Sequence, residues 1–258
     1  MAIVKGRNLN WKASPHDERD HGFKMKLTRP IKLKEKSDLS EFVPMILDQG
    51  NTGSCTGFSL KYLYMIKQKQ RDKFDAEPSA LFPYYNAREH EGTTDEDAGA
   101  YIRDIIKAAV KQGMTHEALW PFDESKVTEK PSDKAYEQGL LHQVTGYNRL
   151  YDSADIRLSL SFGLPVVYGV ALFESFMSDE VAETGIVPMP TELEKVLGGH
   201  AMCLCGHDDS TQRFMGVQSW GEWGKAAGKF EYGFYTIPYE YIDRHCDESW
   251  NVTTGEQL

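Results

Sequence analysis

The stretch Gln49-Gly50-Asn51-Thr52-Gly53-Ser54-Cys55-Thr56-Gly57-Phe58-Ser59 runs from a glycine-rich loop directly into an amphipathic pattern. From Cys55 onward, Phe58, Ser59, Tyr62, Leu63 and Ile66 recur at three- and four-residue spacing, the core-facing stripe of a helix. Gly53 or Ser54 is the natural cap, and Lys67, Lys69 and Arg71 suit the negative pole at the far end, so Cys55 is predicted at the helix N-terminus. A thiolate is favoured there, and a nearby imidazolium would lower the thiol pKa further. A cysteine at a helix start is in general a small buried hydrophobe. The two glycines and the serine before Cys55, with Gln49 upstream, are costly choices for a core helix but suit a thiol presented at a cleft.

The imidazole is available in Gly198-Gly199-His200-Ala201-Met202-Cys203-Leu204-Cys205-Gly206-His207-Asp208-Asp209, and an amide follows in Gln218-Ser219-Trp220-Gly221-Glu222-Trp223-Gly224. His200, Cys203, Cys205 and His207 also invite comparison with a metal site. Strand alternation puts 203, 205 and 207 on one face and 200 on the other, which argues against convergence on one ion. Asp208-Asp209 reads as a strand-ending turn.

These three blocks, in this order, resemble the papain-like (C1) family of cysteine peptidases. The resemblance runs from about Gln49 to Ile242, and it is closest to prosegment-free members of bacteria and bacteriophages, because Ser79 to Arg88 and Gly92 to Gly99 also match. It implies a two-lobed α+β fold. A helical lobe would span about residues 41–160 and an antiparallel β-barrel-like lobe about 161–258, with the cleft between them and an extended arm at 1–40. It further implies peptide hydrolysis through an acyl-enzyme, with Cys55 as nucleophile, His200 as general base, Gln49 as oxyanion donor and Gln218 in the place of the amide that orients the histidine. Gly99 is the residue whose bare backbone would pair with substrate, and Gly53 and Ser54 are assigned beside it. No cofactor and no metal are implied.

Four departures touch the machinery. Gln218 stands for asparagine, Thr56 for a tryptophan, Thr52 for a half-cystine, and Trp220-Gly221-Glu222-Trp223 is one residue shorter than the family loop. The shorter loop would retract the backbone and let the longer Gln218 reach His200, so a hydrogen bond of about 2.7–3.2 Å is expected between them. Trp220 would shield that bond from water. Two other readings stay open on the same fold: a catalytically impaired binding or assembly protein, and an acyl transferase.

With 258 residues the chain can bury a large core without disulfides. One cysteine assigned to chemistry leaves Cys203, Cys205 and Cys246, an odd remainder that speaks against a disulfide framework and for a reducing compartment. A formal net charge of -10 and scattered basic residues disfavour nucleic acid. No apolar run or leader-like segment points to a membrane or to secretion. The expected partner is a peptide or protein substrate, acted on by a cytoplasmic monomer, or a virion-associated one if the source is a phage.

Along the chain, Thr94-Asp95 is predicted to cap a second helix carrying Tyr101, Ile102, Ile105, Ile106 and Ala109, ended by Gly113, and Ser153 to Leu160 a further short helix. Val166 to Leu172, His200 to Gly206, Arg213 to Ser219 and Phe230 to Ile237 read as antiparallel strands. The arm lacks a long helical pattern of the inhibitory kind, so full-length protein is expected to be competent with its arm in place.

Overall fold

The computed structural model describes residues 3–23, 33–72, 76–225 and 230–254. Residues 24–32, part of the predicted arm, lie outside them. The chain opens with a small hairpin, β1 (Ile3–Val4) and β2 (Arg7–Asn8), and β3 (Lys36–Asp38) follows. The helical half then contains α1 (Cys55–Gln70), α2 (Leu81–Glu91), α3 (Ile102–Lys111) and α4 (Asp133–Gly139). Next come β4 (Val144–Leu150), α5 (Ser153–Ser161), β5 (Val166–Phe173), α6 (Asp179–Thr184), β6 (Val196–Asp208), β7 (Arg213–Val217), β8 (Phe234–Pro238), α7 (Tyr239–His245) and β9 (Cys246–Thr254).

The sheet has the order β4-β9-β5-β6-β7-β8, with β3 pairing β6, and its ladders are antiparallel. β5 sits centrally because Val166-Val-Tyr-Gly-Val170 is apolar without alternation and buried on both faces. The expected α+β architecture is present, but the sheet half begins earlier than about residue 161: β4, within the stretch assigned to the helical lobe, pairs with β9. β3, within the predicted arm, is likewise part of the sheet.

Helix α1 is the core of the helical half and is buried from Cys55 to Lys67. Its start matches the prediction, with Ser54 in the cap position, although the Ser54 hydroxyl pairs with the Thr52 hydroxyl at 2.5 Å instead of capping the helix. α2 was not anticipated, because Leu81-Phe-Pro-Tyr-Tyr85 carries no polar face; the Ser79 hydroxyl starts it by accepting from the Phe82 N–H at 3.2 Å. α3 begins at Ile102 and not after Thr94-Asp95. Gly99 at φ +78° turns the chain between them, and the helix takes Tyr101 as its cap. Gly113, at φ +80°, follows its end as expected. Two predicted strands are shorter than read: β7 stops at Val217 and β8 starts at Phe234.

Lys61 lies on the buried face of α1 with its side chain 2% exposed, and Glu77 and Glu117 hold its ammonium at 2.5 and 3.0 Å. These contacts tie α1 to the loop before α2 and the loop after α3. Lys61→Ala removes the cation and leaves a cavity beside two carboxylates, so it should lower unfolding stability by about 3 kcal/mol, at the low end for a buried pair because both carboxylates can rehydrate. Denaturant unfolding would measure it, and a loss below about 0.5 kcal/mol would show that the pair contributes no more than a surface one.

Candidate active site

Two loops build the site. Leu47 to Gln49 runs antiparallel to Ser219 to Gly221, through Gln49 N–H to Ser219 O at 2.9 Å and Gly221 N–H to Leu47 O at 3.0 Å. Tyr62, two turns along α1 from Cys55, fixes both: its hydroxyl accepts from the Leu47 N–H at 2.6 Å and donates to the Gln218 carbonyl at 3.2 Å. Gln49 is fully buried. Its Oε1 accepts from the Ser219 hydroxyl at 2.6 Å and its Nε2 donates to the Thr52 carbonyl at 2.8 Å, which assigns the amide orientation. The loop that an extracellular relative would staple is closed here by hydrogen bonds: the Thr52 hydroxyl donates to the Gln49 carbonyl at 2.8 Å, and all four cysteines are free thiols.

Cys55 faces β6. Its sulfur is within hydrogen-bonding reach of the backbone N–H of Ala201, the residue after His200, and of its own helix N-terminus at Thr56. The His200 ring stacks on Trp220 at 4.5 Å and 26° between planes. Cys55 is 1% and His200 0% exposed. Burial therefore decides both charges. It pushes the Cys55 thiol up to about 12 against the pull of the backbone N–H groups, with Asp97 adding to the rise. It pushes His200 down to about 3 against the favourable presence of Gln218, with Arg7 adding to the fall. In this arrangement both groups are neutral at pH 7.

The expected Gln218 to His200 hydrogen bond is absent. Gln218 stands close enough to favour a protonated ring, yet neither of its amide atoms, nor either ring nitrogen of His200, makes a hydrogen bond among the described residues. The Gln218 backbone is pinned on both sides, its carbonyl by Tyr62 and its N–H by the Gly233 carbonyl at 3.2 Å. The extra methylene thus cannot be absorbed by a retracted backbone, and the amide is misaligned.

The N-terminal arm runs along this site. β7 pairs with β6 only from Cys203 onward, and Leu9 to Trp11 takes the edge this leaves open, with Gly199 N–H to Leu9 O and Trp11 N–H to Gly199 O each at 3.2 Å. Asn10 and Gly199 form a parallel bridge. On the other side the arm passes Gly99, where an added Cβ would stand 3.0 Å from the Asn10 carbonyl oxygen. Arg7 anchors one end, on Asp48 at 2.6 Å and the Trp220 carbonyl at 3.0 Å; Ser14 anchors the other, on the buried Glu248 at 3.0 Å. A freely competent full-length chain does not fit this course.

Of the residues singled out in the sequence, Cys55, His200, Gln49 and Gln218 converge, and Gly99 borders the arm. Gly53 and Ser54 are engaged inside the loop: the Gly53 N–H donates to Asp97 at 2.7 Å, and Ser54 pairs with Thr52. The Gly99 N–H is likewise used, donating to the Tyr84 hydroxyl at 3.0 Å, which itself donates to Asp97 at 2.5 Å. Asp97 and Tyr84 therefore link the Cys55 loop to Gly99. Sequence reasoning gave no role to either, nor to Ser219, Arg7 and Trp11, although Tyr84, Asp97 and Ser219 all stand in blocks that the sequence marks.

No family-level sequence profile matches the chain. It is 39% identical over 209 residues to an uncharacterised peptidase C1-like protein of Acanthamoeba polyphaga mimivirus, covering 76% of this chain and 65% of that relative, so it spans about two thirds of the relative's length. Among solved structures it is similar to xylellain, a cysteine protease from Xylella fastidiosa, at 28% identity and TM-score 0.86, over 98% of this chain and 99% of that one. Digestive procathepsin L 3 of Tenebrio molitor larval midgut shares the fold at 17% identity and TM-score 0.68, over 91% of this chain and 74% of its own. With a papain-like fold over nearly its whole length and the sequence order Cys55, His200, Gln218, the chain is similar to the papain-like C1 cysteine peptidases.

Proposed function

We propose that the chain is a cysteine endopeptidase held in a covered resting state by its own arm. The observation that carries this is the convergence of a thiol at a helix N-terminus, an imidazole on the facing strand, and a Gln49 amide whose nitrogen is turned by Ser219 toward the Cys55 loop. With the arm displaced, water and substrate reach the pair and the burial that keeps it neutral is relieved. Cys55 then attacks the scissile carbonyl as thiolate. Gln49 Nε2 and the Cys55 backbone N–H receive the oxyanion, His200 passes its proton to the leaving amine, and water, activated by the same ring, frees the acyl group. The chemistry draws on groups of the chain itself, and the substrate is a peptide segment able to take the arm's place on the β6 edge. Four free thiols favour a reducing compartment, and no described helix is long and apolar enough to cross a membrane. A monomer suffices for this chemistry.

The unpaired Gln218 favours the binding-protein reading as a second choice, and one experiment separates the two. A peptidyl epoxysuccinate should add to Cys55, located by intact mass and peptide mapping, and Arg7→Ala should speed labelling several-fold by loosening the arm. Absence of adduct in both forms would move the assignment to a binding protein. In the active form, Gln49→Ala should lower kcat by about 10²–10³, with KM changed far less; an unchanged kcat would remove Gln49 from the oxyanion site.

Covering should depend on pH with a defined sign. His200 is depressed by burial, so the open state binds the extra proton and acid favours opening; each pH unit below the ordinary histidine value of about 6.5 weakens closure by up to about 1.4 kcal/mol. Cys55 is raised, so alkali above an ordinary thiol value of about 8.5 favours opening as well. Hydrogen exchange at the Trp11 and Gly199 amides, normalised to intrinsic rates, should show greatest protection between about pH 6.5 and 8.5. Protection that is flat from pH 5 to 9 would show that the arm does not govern hydration of the pair.

A further inference from the structure

Three segments close on Gly53, two residues before the candidate nucleophile. An added Cβ there would stand 3.0 Å from Asp97 Oδ1, 3.1 Å from the Tyr84 hydroxyl and 3.3 Å from the Gly99 nitrogen. Asp97 is the hub. One carboxylate oxygen accepts from the Gly53 N–H at 2.7 Å and the other from the Tyr84 hydroxyl at 2.5 Å, and that hydroxyl in turn accepts from the Gly99 N–H at 3.0 Å. Tyr84 keeps the proton it donates, because burial and the Asp97 charge both push its hydroxyl well above the ordinary tyrosine value. The Asp97 segment is gripped from behind as well. Arg88, fully buried, lies over the Tyr84 ring at 4.1 Å and donates to the carbonyls of Glu96, at 2.5 Å, and of Val127. A bond that a carboxylate accepts from a backbone N–H is of the stronger, charge-assisted kind.

We infer that Asp97 is a positioning residue for the nucleophile: its carboxylate holds the Cys55 loop and the Gly99 backbone at a fixed separation, and its negative charge stands against the thiolate. This role rests on the peptidase reading, in which Cys55 must ionise and Gly99 must meet the substrate. The two duties conflict. Charge makes the tie strong, and the same charge adds to the rise that burial imposes on the Cys55 thiol, against the backbone N–H groups of Ala201 and Thr56. The other charged or titratable groups around the thiol are His200 on β6, Arg7 of the arm paired with Asp48, and Glu124, which accepts from the Asn51 N–H; Tyr84 and Arg88 face Asp97 from α2. All of them stay in place when Asp97 alone is changed.

The test uses the full-length chain and two readouts. Alkylation of Cys55 by iodoacetamide, located by peptide mapping, is followed from about pH 5 to 11 for its midpoint, and KM and kcat are measured on an unfolded peptide substrate. Asp97→Asn keeps an oxygen for the Gly53 N–H and removes the charge, so the midpoint should fall by about 0.5–1 pH unit while KM changes less than about twofold. Tyr84→Phe keeps the charge and cuts the link to Gly99, so the midpoint should stay while KM rises at least about threefold with kcat little changed. Asp97→Ala loses both and should show both effects.

An Asp97→Asn midpoint equal to that of the wild type overturns the inference. So does a Tyr84→Phe midpoint that falls as far as the Asp97→Asn one, because loosening of the loop would then account for both. If neither Asp97 variant folds, Tyr84→Phe decides alone, and an unchanged KM overturns the tie to Gly99. The thiol titration needs no turnover, so the two readings fail separately. Turnover with an unmoved Asp97→Asn midpoint sinks the role of Asp97 and leaves the peptidase reading standing. A lowered midpoint with no turnover, and no adduct from a peptidyl epoxysuccinate in any form, supports the hold of Asp97 on Cys55 and sinks the peptidase reading.

Discussion

Dehydration of one thiol and one imidazole is the constraint on which the rest of this structure turns. In water, a thiol at a helix N-terminus beside an imidazole can exchange a proton with it and form an ion pair. In a dry site the two charges must repay their lost hydration, and here burial overcomes the backbone N–H groups that favour the Cys55 thiolate and the Gln218 amide that favours a protonated His200. The fold supplies the geometry, and the depth at which the pair sits decides its charge.

That arrangement needs rigid walls. Tyr62 holds the segments of Gln49 and Gln218 at fixed heights above α1, Ser219 sets the Gln49 amide, and Asp97 joins the Cys55 loop to Gly99 through Tyr84. These contacts run through buried hydroxyls and the half-buried Asp97 carboxylate, each with defined partners, and such networks hold position because an unmet group would be costly. The arm is tied by ladder bonds at Gly199, by Arg7 on a half-exposed Asp48, by Ser14 on Glu248, by Asp20 on the buried Arg103 and by pairing of residues 21–23 with Arg149.

Legibility in the sequence followed how local each signal is. Cys55 and its helix could be read because the loop, the cap position and the apolar stripe are contiguous, and β5 because its apolar run is unbroken. α2 was lost to its own burial, since a helix apolar on all sides shows no period. β4 and β9 pair across about a hundred residues, a contact no window of sequence contains. Trp11 is the clearest case. In a polar, mixed-charge arm one tryptophan looks incidental, and its meaning depends on glycines at 169 and 199 whose place beneath it is set by tertiary packing alone.

Gln218 shows where analogy by position and physics of position part. The sequence argued that a longer side chain and a shorter loop would compensate, which holds only if the backbone is free to move. The Gln218 carbonyl and N–H are both paired, with Tyr62 and Gly233, and its amide atoms stand near His200 without a hydrogen bond to it. An imidazole with both nitrogens unpaired has neither tautomer nor ring plane fixed by hydrogen bonding, leaving the stack on Trp220 as its restraint. Stacking holds a ring plane without preferring a tautomer. The ring can then exchange its proton at either nitrogen once water enters. On this view Trp220 gives the ring the restraint that a hydrogen-bonded amide would otherwise supply.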